Sequence, residues 1–197
     1  MWITHCHVER SRDIFNNMII SLTGFMGCGK SSVGRKLSEL LCCRFMDLDD
    51  CIVEEAGCSI PEIFAQQGEP AFRKLEQEVL KNIVSSDSDE KTVLALGGGA
   101  VMTAGSEDIV HDGTICIYLR ASVDTLIEHL TGETTGRPML TQQSVMSSET
   151  ETSPLRARIL ELMSLRAATY ERTAHHTINT DGKSVDEVAA MIVQAIK

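Results

Sequence analysis

Long apolar runs are missing from this 197-residue chain. No stretch approaches the ~18 consecutive apolar residues of a membrane-spanning helix, so a membrane partner is not expected. The first residues, MWITHCHVERSRDIFNN, have no apolar centre of a secretory signal. Aromatics are scarce at 4%, and positive charge is the minority sign, with 18 Lys and Arg against 28 Asp and Glu. A net charge of -10 would repel a polyanion, which argues against nucleic acid as a partner. One small phosphorylated ligand, met by a few local donors, is still allowed. Paired cysteine motifs are absent as well. The seven cysteines (Cys6, Cys28, Cys42, Cys43, Cys51, Cys58 and Cys116) form an odd set without a C-x-x-C pair. Neither a zinc ribbon nor a disulfide framework is signalled, and a reducing cytoplasmic setting is expected.

What remains is ordinary globular usage, 43% hydrophobic and 23% charged, which excludes wholesale disorder, collagen and coiled coil. The length suits one compact domain, expected over residues 18–197, with the polar residues 1–17 as an N-terminal extension. Apolar strand candidates lie at Met18–Thr23, Arg44–Leu48, Thr92–Leu96 and Thr114–Leu119, with a weaker fifth at His175–Asn179. Helical periodicity occupies Lys30–Cys42, a stretch through Glu55, the segment around Phe64, Pro70–Val84, Ser122–Leu130, Pro154–Thr173 and Ser184–Ile196. Near-continuous apolar strands alternating with helices predict an α/β fold, a three-layer α/β/α sandwich with a central parallel sheet of about five strands. Its ligand should lie at the carboxyl ends of the strands. Residues 131–153 are polar and lack periodicity, as expected of a mobile lid. No self-complementary apolar stripe stands out, and a monomer is expected.

Gly24-Phe25-Met26-Gly27-Cys28-Gly29-Lys30-Ser31 fits G-x-x-x-x-G-K-[ST], placed after a strand and at the start of a helix. Glycines let backbone N–H groups surround phosphate oxygens, the helix N-terminus adds its positive dipole end, Lys30 supplies a cation, and the Ser31 hydroxyl can ligate magnesium. The chain has no N-K-x-D guanine motif, and its size and lid-like loop favour a small-molecule kinase over a GTPase. Asp47-Leu48-Asp49 is expected to close the second strand and put two carboxylates at the sheet's carboxyl edge. One could hold magnesium and the other accept the proton of an acceptor hydroxyl. Gly97-Gly98-Gly99 ends the third strand without the acid often found there and implies close ligand approach. Arg73, Arg137 and Arg166 offer planar forks for a carboxylate and for transferring phosphate. Cys28 within the loop reads as a small tolerated side chain, and His175 and His176 at a strand start as local packing or surface residues.

Taken together, GFMGCGKS, F-x-D-x-D at Phe45–Asp49, GEPAFRKLE, GGG, the Arg137-Pro138 pair and R-x-x-x-Y at Arg166–Tyr170 resemble the shikimate kinase family, a P-loop group similar to nucleoside monophosphate kinases. The resemblance runs from Met18 to about Lys197. It implies transfer of the ATP γ-phosphoryl group to the 3-hydroxyl of shikimate, on the route to aromatic amino acids, with Mg2+ as cofactor. By the same resemblance Gly27, Cys28, Gly29, Lys30, Ser31, Ser32 and Arg137 would bind ATP, and Ser31 and Asp47 would serve the metal. Asp49, Arg73, Gly97, Gly98, Gly99 and Arg166 would bind shikimate, with Lys30, Asp49 and Arg137 catalytic and Glu76 orienting Arg73. Two positions depart from the family pattern: Leu130 stands where an arginine often packs on adenine, and Ala168 where proline is frequent. The rivals are a kinase for gluconate or a nucleoside monophosphate, and a nucleotide-sensing module without transfer chemistry. The paired arginines favour a carboxylate-bearing acceptor over the first, and Asp49, Arg73 and Arg137 together weigh against the second.

Overall fold

The computed structural model describes residues 18–86, 88, 90–132 and 154–197. The N-terminal extension and the greater part of the lid, Arg137 included, lie outside the described residues. In chain order the elements are β1 (Ile19–Thr23), α1 (Lys30–Leu41), β2 (Arg44–Asp47), α2 (Leu48–Ala56), α3 (Ile60–Val84), β3 (Thr92–Ala95), a 3-10 turn (Ala100–Met102) and α4 (Ser106–Gly113). There follow β4 (Ile115–Arg120), α5 (Val123–Gly132), α6 (Pro154–Thr173), β5 (His176–Asn179) and α7 (Val185–Ala195). The five strands form one parallel sheet in the order β2-β3-β1-β4-β5.

Period-two alternation sorts the strand side chains into two cores, one on each face of the sheet. Ile20, Leu22, Val93, Ile117 and Leu119 meet Val33 and Leu37 of α1, Leu126 of α5, Ile159 of α6 and Ile192 of α7. Leu94, Leu96, Cys116 and Tyr118 face the other way, onto Ile52 of α2, Phe72 and Leu80 of α3, Val110 of α4 and Tyr170 of α6. The expected three layers are therefore present. The chain leaves β1 for β2 and β3 on one side and for β4 and β5 on the other, so the switch point lies at the carboxyl end of β1. The register levels Asp47 with Ala95 and Ala95 with Leu22, which brings the loops after β1, β2 and β3 to one edge.

One local expectation is corrected. The second strand stops at Asp47, whose side chain caps α2 by accepting from the Asp49 N–H at 3.1 Å, so Asp49 stands in the first helical turn and not on the strand. The helix expected from Pro70 is present, preceded by a helical segment around Phe64 that starts at Ile60, where the Glu62 carboxylate accepts from the N–H and hydroxyl of Ser59 in a capping box. Its axis breaks at Gly68, with φ 79° and ψ 173°. Ser106–Gly113 forms a further helix, in a stretch for which the sequence pattern gives no element.

Candidate active site

The loop from Gly24 to Gly29 is pinned by two buried side chains, Phe25 and Cys28, both counted in the core beneath it. Gly24 has φ 143°, and a Cβ there would sit 2.7 Å from the Leu119 carbonyl, so no other residue fits. Gly29 caps α1 without any side-chain hydrogen bond, which leaves the first-turn N–H groups and the dipole end of the helix to an anion. The Lys30 ammonium donates to the carbonyls of Gly24 at 2.9 Å and Phe25 at 3.0 Å, which suspends a positive charge across the loop. Beside it the Ser31 hydroxyl donates to Asp47 at 2.6 Å.

Next to this loop lies a cleft of about 120 Å³, lined by Met26, Asp49, Ile60, Phe64, Phe72, Arg73, Glu76, Gly97, Gly98, Gly99 and Arg166. Every acceptor-side residue singled out from the sequence is on its wall. Arg73 donates to the buried Glu76 carboxylate at 2.7 Å and to the more exposed Glu69 at 3.3 Å. Burial opposes the charge on Arg73, but Glu76 and then Glu69 more than offset it, and its pKa rises. Burial also pushes the Glu76 carboxyl upward, with Arg73 pulling the other way and the nearby Asp49 adding to the rise. Arg166 is buried, has no acidic partner within ion-pair distance among the described residues, and donates to the Gly98 carbonyl at 3.4 Å.

Two of the three glycines, Gly97 and Gly99, lie tight against charged side chains of the cleft. A Cβ on Gly97 would lie 3.0 Å from both Asp49 Oδ1 and Glu76 Oε1, and one on Gly99 would lie 2.7 Å from an Arg73 Nη. Such contacts press two acids and a guanidinium against bare backbone, so that charge lines the cleft without side-chain bulk between. The arrangement offers a phosphate cradle, a carboxylate beside a neighbouring cleft, and two guanidinium forks facing whatever enters it. That set suits phosphoryl transfer to a small anionic acceptor.

A family model described as shikimate kinase matches residues 26–197. The chain belongs to the shikimate kinase family. A shikimate kinase of Salinibacter ruber is 38% identical over 179 residues, covering 91% of this chain and 84% of that protein. One from Thermus thermophilus is 38% identical over 177 residues, covering 90% of this chain and 89% of the relative. Among solved structures, shikimate kinase from Acinetobacter baumannii in complex with shikimate superposes with a TM-score of 0.80 at 33% identity, covering 93% of this chain and 95% of that one.

Within this shikimate kinase family member, the departure at Leu130 has a structural explanation. Leu130 is 7% exposed and packs into the core, and a Cβ on Gly27 would meet its Cγ at 3.0 Å. The neighbouring His129 lies 2.7 Å through Nδ1 from the Gly27 carbonyl. Since a carbonyl only accepts, Nδ1 carries the proton of that bond. Helix α5 is thus tied to the phosphate loop at the point where it leads into residues 133–153. Sequence reasoning missed this tie, and it missed Met26, Ile60, Phe64 and Phe72 as cleft walls; apolar side chains give no signal that separates wall from core. It also left Tyr170 without a role, although Tyr170 lies one helical turn beyond Arg166. Cys28 is buried beneath the loop; His175 is an exposed residue that accepts from the Cys116 N–H at 3.1 Å, and His176 is partly buried.

Proposed function

We propose that this chain transfers the γ-phosphoryl group of ATP to the 3-hydroxyl of shikimate, giving ADP and shikimate 3-phosphate for aromatic amino-acid synthesis. The observation that carries the reading is Arg166, a buried guanidinium on the cleft wall that donates to the Gly98 carbonyl and makes no ion pair among the described residues. Glu76 offers Arg166 only a charge at longer range while it is paired directly with Arg73, and an acceptor carboxylate supplies the close counter-charge that a buried guanidinium needs. Arg73, already oriented by Glu76, presents the second fork. Asp49 accepts hydrogen bonds from the acceptor and draws off the proton of the attacking hydroxyl as phosphoryl transfer proceeds. Gly97, Gly98 and Gly99 let the ring approach the backbone. On the nucleotide side, Gly27, Cys28, Gly29, Lys30, Ser31 and Ser32 cradle the phosphates, and Lys30 places its charge on them. Arg137, outside the described residues, is assigned to the transferring phosphate from its place in Gly136-Arg137-Pro138 alone.

Magnesium fits the donor set. The Ser31 hydroxyl and Asp47 carboxylate, 2.6 Å apart at the mouth of the loop, are hard oxygen ligands. Among the described residues no group of three or more His, Cys, Asp or Glu could hold a metal, so nucleotide oxygens and water would complete the shell. Bound there, the ion neutralises charge on the β- and γ-phosphates. The described cysteines are all unpaired, which supports a reducing cytoplasm as the setting. No helix among the described residues is long and apolar enough to cross a membrane.

Phosphorus NMR of a reaction with ATP, magnesium and shikimate tests the assignment. The expected result is a new phosphomonoester resonance coupled to the ring proton at carbon 3. Inorganic phosphate appearing with ADP, and no ester, would contradict it.

A further inference from the structure

Gly98 is the backbone point where the phosphate loop and the cleft adjoin: it lines the cleft, and a Cβ on it would lie 3.4 Å from the Met26 N of the loop. Its carbonyl receives the Tyr170 hydroxyl at 2.5 Å as well as Arg166 Nη1 at 3.4 Å. Tyr170 is wholly buried, heads the largest such side chains, and is held by the Tyr118 ring at 5.3 Å between centroids. Packing alone would be served by phenylalanine; a buried hydroxyl persists where it has a partner to satisfy. Because the peptide unit is planar and trans, drawing the Gly98 carbonyl toward α6 turns the Gly99 N–H to the opposite side, away from that helix.

We infer that Tyr170 is a positioning residue for the acceptor, whose hydroxyl fixes the Gly98–Gly99 peptide and so sets that backbone edge and the Arg166 guanidinium in one register. Tyr170 does not line the cleft, so it acts through Gly98 and not on the acceptor. Burial raises its pKa, which keeps the hydroxyl a donor at neutral and alkaline pH. The inference rests on the reading of this cleft as the shikimate site.

The test compares the full chain with Tyr170→Phe and, as a packing control, Tyr118→Phe, measuring KM for both substrates, kcat and thermal midpoint. Tyr170→Phe is expected to raise KM for shikimate about tenfold, the scale of one buried carbonyl losing a partner, with KM for ATP changed by less than about twofold. Tyr118→Phe should leave both KM values unchanged. A Tyr170→Phe enzyme that melts earlier but keeps both KM values would overturn the inference and leave Tyr170 a core residue. Should that variant not fold, fluorotyrosine labelling of the unmutated chain decides, since it holds only two tyrosines. Saturating shikimate should shift the Tyr170 fluorine resonance, assigned from the Tyr118→Phe chain, and an unmoved resonance would contradict the role. Wild-type enzyme with no shikimate-dependent ADP release would instead sink the reading of the cleft itself.

Discussion

Arg73 spends its donors on two acids of unequal burial: the Glu76 side chain is 3% exposed and that of Glu69 54%. The inner pair sets the fork; the outer one can yield to an incoming carboxylate, because an exposed ion pair contributes little. Replacing Arg73 by alanine removes the fork and strands Glu76 in the interior. The expected loss is about 2 to 5 kcal/mol of acceptor interaction, read as a raised KM for shikimate in steady-state kinetics. Unaltered shikimate kinetics would remove Arg73 from the acceptor site. Asp49→Asn keeps the shape of the first turn of α2 but cannot take a proton. Its product should fold and bind ATP, by calorimetric titration, yet turn over far more slowly; normal turnover would exclude Asp49 from acceptor activation. These two residues and the phosphate loop were legible because their chemistry depends on residue type at fixed spacing. Tyr170 was not, because its role arises only when β3 and α6, distant in sequence, meet at Gly98.

At the scale of elements, the break in α3 shows what a breaker cluster does. Gly68-Glu69-Pro70 reads as an end, and proline at the start of the second segment suits a first helical turn. The capping box at Ser59 starts the segment around Phe64, and Gly68 absorbs the change of direction between it and the helix from Pro70, in a backbone region open almost only to glycine. Both segments then supply cleft walls, Ile60 and Phe64 before the break, Phe72 and Arg73 after it. Gly68→Ala is expected to cost about 1 to 3 kcal/mol of stability in urea denaturation; an unchanged midpoint would mean the bend relaxes freely. The helix Ser106–Gly113 escaped the sequence reading because eight residues with two buried positions, Ser106 and Val110, show too little repetition for periodicity to register. Strands β1, β3 and β4 read clearly, since burial on both faces made them near-continuously apolar. Which strands pair depends on contacts that no local pattern encodes, whereas the end of β2 at Asp47 is a local matter, the side chain capping α2 through the N–H two residues on.

Over the whole molecule, the two cores are joined by a sheet whose far end carries a pH-sensitive contact. His175 accepts the Cys116 N–H through Nδ1 and stacks on His111 at 4.5 Å, while His111 pairs through its own Nδ1 with the Thr173 carbonyl. Burial first, and then His111 and His176, lower the His175 pKa below 6.5, with Asp112 opposing. Folding therefore favours the neutral ring, and the unfolded chain binds the extra proton. This contribution is complete above about pH 6.5 and is lost as pH falls through the folded value. Thermal midpoints should drop from pH 7 to 5 in the wild type and drop less in His175→Asn, whose side-chain oxygen can accept the same N–H. Equal acid slopes would discard His175 as the source. None of this bears on the cleft at the other edge, proposed as the site of phosphoryl transfer to shikimate. That transfer is tested most directly by ADP release with ATP and magnesium, comparing shikimate, gluconate, a nucleoside monophosphate and no acceptor. Strong stimulation by shikimate alone is the predicted result; equal rates with and without shikimate, in protein shown to bind ATP, would contradict it.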